Sequence, residues 1–141
     1  MVKVGGVVAY TLFDTGATHS FVSQDLTKRW SFQGKYECRT TRVETAGPDE
    51  ISAMGVFMGV AVELAGVVMP VDLLKLEMGR YEVILGMDWL SQYGAVIDCN
   101  GANIRIPREG GRVVFEGTKT KTGVTIISMA QAGELIKKGH V

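Results

Sequence analysis

The sequence predicts an all-β domain, and three observations predict it. Eighteen glycines are spread over 141 residues. The runs between them are short and rich in valine and isoleucine, whose branched side chains suit a pleated sheet. Turn signals separate those runs at intervals too short for long helices. With 46% hydrophobic and 21% charged residues, the composition is that of a globular chain rather than a disordered one. The length suits one domain with a core of its own.

Taken in order, "VGGVVAYTLF" offers one strand or two, ending at Asp14. "SQDLTKRW" reads as a short helix with Ser23 as its N-cap. "CRTTRVET" and "ISAMGVFMGVAVEL" flank Ala46 to Glu50, whose glycine and proline mark a hairpin tip. "VAVELAGVVMPVDLL" reads as two strands around Ala65-Gly66, and "YEVILG" as an apolar strand ending in Gly86. "MDWLSQYG" then gives a helix of two turns stopped by Gly94. "AVIDCNGANIRI" predicts a hairpin around Asn100-Gly101, and "GRVVFEG" one further strand.

The last segment differs in character. "GTKTKTGVT" reads as a polar linker. "SMAQAGELIKKG" reads as an amphipathic helix: Ser128 and Gln131 stand at capping-box spacing, Met129, Ala132, Leu135 and Ile136 share a face, and Gly139 stops it. Its two lysines sit where the helix dipole favours cations. The expected organisation is a domain over residues 1–116, followed by a linker and helix over 117–141. That tail is the start of a following domain or, less favoured, a docking element.

The charges exclude several functions. Fifteen basic and fifteen acidic residues cancel, and no basic stripe suits a phosphate backbone, so no nucleic-acid partner is expected. Cys38 and Cys99 are too few for a disulfide scaffold and form no metal-ligand motif. Two reduced thiols are expected, with a single disulfide left open, and neither metal nor cofactor. The opening ten residues are too short and glycine-broken for a signal peptide, and no apolar run spans a membrane. An intracellular, cytoplasmic protein is expected.

One carboxylate stands out. Asp14 ends an apolar strand, where burying a charge is expensive unless it is used. His19 and Ser20 follow it, yet sequence neighbours do not make a nucleophile–base pair, and His19 reads as structural or subsite-lining. Asp72, Asp88 and Asp98 read as structural or solvated carboxylates, and Met54, Met58, Met69 and Met78 as core or surface. The chain also echoes itself. "LFDTG" and "VILG" each lead into a helix-like segment, and superposing Gly16 on Gly86 puts Ile84 at the position of Asp14. The second half thus lacks a matching carboxylate.

Asp14-Thr15-Gly16-Ala17 after an apolar pair, a glycine-containing hairpin tip some thirty residues on, and Ile84-Leu85-Gly86 before a helix together resemble a retropepsin. These are the single-domain aspartic proteases of retroviruses and LTR retrotransposons. "DTGATHSFVS", "YEVILGMDWLSQYGAVIDC" and "IISMAQAGELIKKG" are similar to the protease segment of a gypsy-class retrotransposon polyprotein, particularly the plant type, whose tail leads towards reverse transcriptase. The resemblance implies a retropepsin-like closed β-barrel or sandwich with a flap hairpin and one or two short helices, built as half of a two-fold dimer. It implies an aspartic endopeptidase that processes its polyprotein inside retroelement particles, without a cofactor.

Aspartic proteases activate water with two carboxylates sharing one proton. One aspartate per chain therefore implies a homodimer. By resemblance, Asp14, Thr15 and Gly16 of each copy form the catalytic centre, Thr15 bonding across the axis and Gly16 turning tightly. Ala17, Thr18, Ile84 and the flap's Ala46, Gly47 and Pro48 would line an extended peptide substrate. Retroviral members brace their dimer with an ion pair where this chain has Thr18-His19 and Met87-Asp88, so another interface is expected. Thirteen residues precede Asp14, fewer than in those relatives, so the dimer is expected either to be weaker or to be completed by the C-terminal segment. The runner-up is a catalytically silent retropepsin-fold module for dimerisation or peptide binding. A cellular, ubiquitin-linked retropepsin is disfavoured by the connector-like tail.

Overall fold

The computed structural model describes residues 2–30, 32, 34–38, 41–44, 50–53, 55–64, 66–77, 81–98, 100–119 and 123–126; for 41–44, 50–53, 119, 123 and 126 it describes the backbone alone. The fold is all-β with short helices. Strands β1 (Val2–Val4), β2 (Val7–Ala9) and β3 (Thr11–Asp14) come first. The opening stretch is thus three strands rather than one or two. Gly5 and Gly6, at φ +59° and +87°, make the reversal between β1 and β2, a two-residue turn that needs left-handed backbone at both positions.

Strand β4 (Phe21–Ser23) leads into α1 (Gln24–Thr27). Ser23 caps it as expected, its side chain accepting the Leu26 N–H at 3.1 Å. Leu26 is thereby turned into the core, fully buried. Replacing Ser23 by alanine is expected to cost about 1 kcal/mol, read as a lower denaturant midpoint at unchanged slope.

Strands β5 (Tyr36–Glu37), β6 (Thr41–Glu44) and β7 (Glu50–Ala53) follow. β6 and β7 pair antiparallel, Glu44 opposite Glu50, as the arms of the expected hairpin. Its tip, with Ala46, Gly47 and Pro48, lies outside the described residues. Next come β8 (Gly55–Val60), β9 (Val62–Leu64), β10 (Val67–Val68) and β11 (Val71–Leu76). β9 and β10 form the hairpin expected at Ala65-Gly66, with Gly66 at φ +79°.

Strand β12 (Val83–Leu85) runs into α2 (Met87–Gln92), and Gly94 at φ +63° stops the helix. β13 (Val96–Asp98) and β14 (Asn103–Arg108) form the next hairpin, but its turn differs from a two-residue Asn-Gly reversal. Asp98 pairs with Asn103 across a longer loop, and the left-handed residue is Ala102, at φ +51°. The Asp98 carboxylate organises that loop. The Gly101 and Asn100 N–H groups, each 3.1 Å away, hold its carboxyl below the usual range, with help from Arg105 and Asn103.

The largest departure follows. "GTKTKTGVT" is not a free linker: β15 (Gly111–Lys119) runs through its first residues, and β16 (Gly123–Ile126) ends beside β3. The boundary expected at residue 116 falls inside β15. Threonine explains the misreading, for it is polar on paper yet β-branched and at home in a sheet. The helix expected over 128–139 lies outside the described residues.

A ten-stranded sheet runs β13-β14-β15-β16-β3-β12-β4-β11-β8-β5, and a four-stranded sheet runs β10-β9-β1-β2. Val2, Val4, Val62 and Leu64 come from the smaller sheet, Phe13, Leu73, Ile104 and Phe115 from the larger, and all belong to one core. Trp89 of α2 is fully buried against Phe13, with ring centroids 5.7 Å apart. Its indole N–H donates to the Met69 carbonyl at 3.2 Å. β3 lies between β16 and β12, which is why Thr11, Leu12 and Phe13 are buried in succession instead of alternating.

The two strands of the internal echo are neighbours in the sheet. β3 and β12 lie side by side and parallel, Leu12 opposite Ile84 and Phe13 opposite Leu85. That register differs by two residues from the superposition of Gly16 on Gly86, and an even shift keeps each side chain on its own face. Cys38 is exposed with a free thiol, and Cys99 lies outside the described residues.

Candidate active site

Asp14 is the last residue of β3, where the central strand leaves the sheet. Phe13 before it is fully buried, Asp14 is half-buried, and Thr15 and Gly16 are exposed. The chain turns at once: the Gly16 N–H donates to the Asp14 carboxylate at 2.8 Å, and the Ala17 N–H to the Asp14 carbonyl at 3.3 Å. A β-carbon on Gly16 would stand 3.2 Å from that same carboxylate oxygen. The small residue lets the backbone fold around its own acid.

The turn is held from behind by the β12–α2 junction. The Met87 N–H donates to the Ala17 carbonyl at 2.7 Å, and the Gly86 N–H to the Ser20 hydroxyl at 3.0 Å. Gly86 sits at φ −97°, a value open to any residue, so its glycine is not required by its dihedrals. It is required by space. A β-carbon there would run into the His19 carbonyl and come within 2.6 Å of that of Ala17.

The other expected site residues sort themselves by this geometry. Ala17 and Ile84, both half-buried, join Met58 and Leu76 against a small second core of Phe21, Val56 and Leu74. This cluster is separate from the main core and gives the Asp14 turn an apolar neighbour. Thr18 is exposed, and its hydroxyl lies 2.8 Å from His19 Nδ1. Ala46, Gly47 and Pro48 lie outside the described residues.

Ser20 and Asp88 were not singled out by their chemistry, yet they touch. The Ser20 hydroxyl, fully buried, donates to Asp88 Oδ1 at 2.6 Å. No imidazole stands between them, since His19 is turned to Thr18; the serine is a structural donor and not a nucleophile. The only sequence signal was an aspartate at the second position of a helix directly after a glycine. Among the described residues, no three His, Cys, Asp or Glu side chains gather to hold a metal ion.

A half-buried carboxylate at the mouth of a strand, oriented by a backbone N–H and flanked by exposed Thr15 and Gly16, can hold and orient a water molecule. Splitting an amide also requires an acid for the leaving nitrogen. Among the described residues of this turn, Asp14 is the carboxylate that faces out.

A family model described as retroviral aspartyl protease matches residues 1–112. Among solved structures, the chain is similar to the retroviral protease-like domain of Ddi1 from Leishmania major. The TM-score is 0.60 at 19% identity, with 91% of each chain covered. At that identity the likeness is one of fold. No curated protein matches the chain.

Proposed function

The chain belongs to the retroviral aspartyl protease family, and from that premise we propose that it is an aspartic endopeptidase working as a homodimer. Each copy contributes Asp14, Thr15 and Gly16 around a two-fold axis. One Asp14 carboxylate takes a proton from water while the other, protonated, polarises the scissile carbonyl and later supplies the leaving amine. The dyad titrates as a unit, so neither role belongs to one copy.

The observation that carries this reading is the placement of Asp14. It ends the central strand half-buried, held by the Gly16 N–H, with Thr15 and Gly16 exposed beside it. Exposed polar backbone at the rim of a catalytic turn is what a symmetric partner would cover. The apolar surface of Ala17, Ile84, Met58 and Leu76 supports a substrate with apolar side chains next to the cut bond. The β6–β7 hairpin is read as the flap over an extended peptide, its antiparallel arms supporting that reading. The finer reading is a retrotransposon protease of the gypsy class that processes its own polyprotein within cytoplasmic particles; the "DTGATHSFVS" and "YEVILGMDWLSQYGAVIDC" stretches support it.

The test is a peptide-library digest from roughly pH 4 to pH 7, at a series of protein concentrations. Cuts that peak in that range, with specific activity falling on dilution, are expected. Activity still rising above roughly pH 8 would exclude the shared-proton dyad. No cuts at any concentration would favour a silent module for peptide binding.

A further inference from the structure

We infer that Asp88 is a positioning residue for the Asp14 turn and acts through the buried hydroxyl of Ser20; this rests on the aspartic-protease reading of Asp14. Ser20 has no access to water, so its hydroxyl must be satisfied by protein. It donates to Asp88 Oδ1 at 2.6 Å and accepts the Gly86 N–H at 3.0 Å. The same Asp88 oxygen accepts the Trp89 N–H at 2.8 Å, which fixes the carboxylate to the first turn of α2. The Ser20 carbonyl meanwhile accepts the Leu74 N–H from β11 at 2.9 Å. One residue of the turn is therefore tied to α2, to the β12–α2 junction at Gly86 and to β11 together.

This matters because of symmetry. Residues 14–20 are held at one end by β3 and near the other by Ser20, with Ala17 tied to Met87 between them. In an isologous dimer any displacement of the turn occurs in both copies, so a shift toward or away from the axis changes the gap between the two carboxylates by twice its size. A dyad sharing one proton needs them about 3 Å apart. Holding the far end of the turn with a charge-assisted bond, roughly twice as strong as a neutral one, resists that error.

A capping role alone would use only the Trp89 N–H. It would make Asp88 matter to stability and leave the chemical step alone. Positioning makes a different prediction, because the effect must pass through Ser20. Asparagine at 88 keeps an acceptor for both donors, while alanine keeps none. Threonine at 20 keeps the hydroxyl, while alanine removes it and strands the Gly86 N–H.

The experiment is a double-mutant cycle on Ser20 and Asp88 in the full chain, with kcat and KM measured at concentrations that saturate the dimer, alongside amide exchange of Gly16, Ala17 and Met87. Asp88→Ala and Ser20→Ala are each expected to lower kcat by about 10- to 100-fold with KM moving much less. The double variant should be no worse than either single one. Asp88→Asn and Ser20→Thr should recover most of the loss, and exchange at Ala17 and Met87 should quicken in both alanine variants. Additive losses, or Asp88→Ala within twofold of the parent kcat, would overturn the inference. If the parent itself cleaves nothing, the proteolytic reading fails and the exchange rates alone decide: unchanged protection at Ala17 and Met87 in Asp88→Ala would then reject the brace.

Discussion

Replacing Asp14 by asparagine is expected to abolish peptide cleavage while leaving the unfolding transition in place. Asparagine matches aspartate in shape, and its side-chain oxygen can still accept the Gly16 N–H that now lies 2.8 Å from the carboxylate. The turn should keep its form. What disappears is the exchangeable proton, since an amide neither takes a proton from water nor gives one to a leaving amine. A loss of about a thousandfold or more follows, because both acids of the dyad change at once in a homodimer. A mixing experiment sharpens the point. Equal amounts of parent and variant, allowed to exchange subunits, should leave parent–parent pairs as only about a quarter of all dimers if partners pair at random, so activity per total protein should fall to about a quarter rather than a half. Activity falling in proportion to the parent's share alone would mean that each chain works by itself. That outcome would remove the dyad, whatever the fold.

How much of this was legible beforehand depends on whether the signal was local. The Ser23 cap, the Gly94 stop and the strand before Asp14 were readable because each rests on residues next to one another in sequence. Gly86 was readable as the glycine that ends an apolar strand before a helix. The Ser20–Asp88 pair was not, because its partners stand 68 residues apart and each alone has an ordinary local explanation. β16 was missed for a different reason. Its Val124 and Thr125 are buried, but only because β3 and β15 flank them, and nothing in "GTKTKTGVT" reveals those neighbours. The four-residue spacing at Asn100-Gly101 was hidden similarly, since the Asp98 side chain, not the Asn-Gly pair, sets that turn.

Gly86→Ala is the substitution expected to do most harm for its size. One methyl group is added, and at φ −97° the backbone accepts it without torsional strain. The obstacle is what it meets. The new carbon would collide with the His19 carbonyl oxygen, stand 2.6 Å from the Ala17 oxygen and 3.0 Å from the His19 carbonyl carbon. All of these are backbone atoms, so no side chain can rotate out of the way. Either the 14–20 turn or the β12–α2 junction must move, and the Met87–Ala17 and Gly86–Ser20 hydrogen bonds tie the two together. Overpacking of this kind costs about 1–3 kcal/mol. The functional cost should be larger, because a shift near 1 Å in a catalytic turn lowers the rate by about 100-fold. Gly66 provides the control: nothing lies within 4 Å of a β-carbon there, and only its φ of +79° resists the change. Gly66→Ala should lose a little stability and keep its cleavage rate. Gly86→Ala should lose both, measured as denaturant midpoint and kcat/KM at saturating dimer. If Gly86→Ala keeps its rate while losing stability, the junction can yield without moving Asp14, and the tight seat behind the turn serves the fold alone.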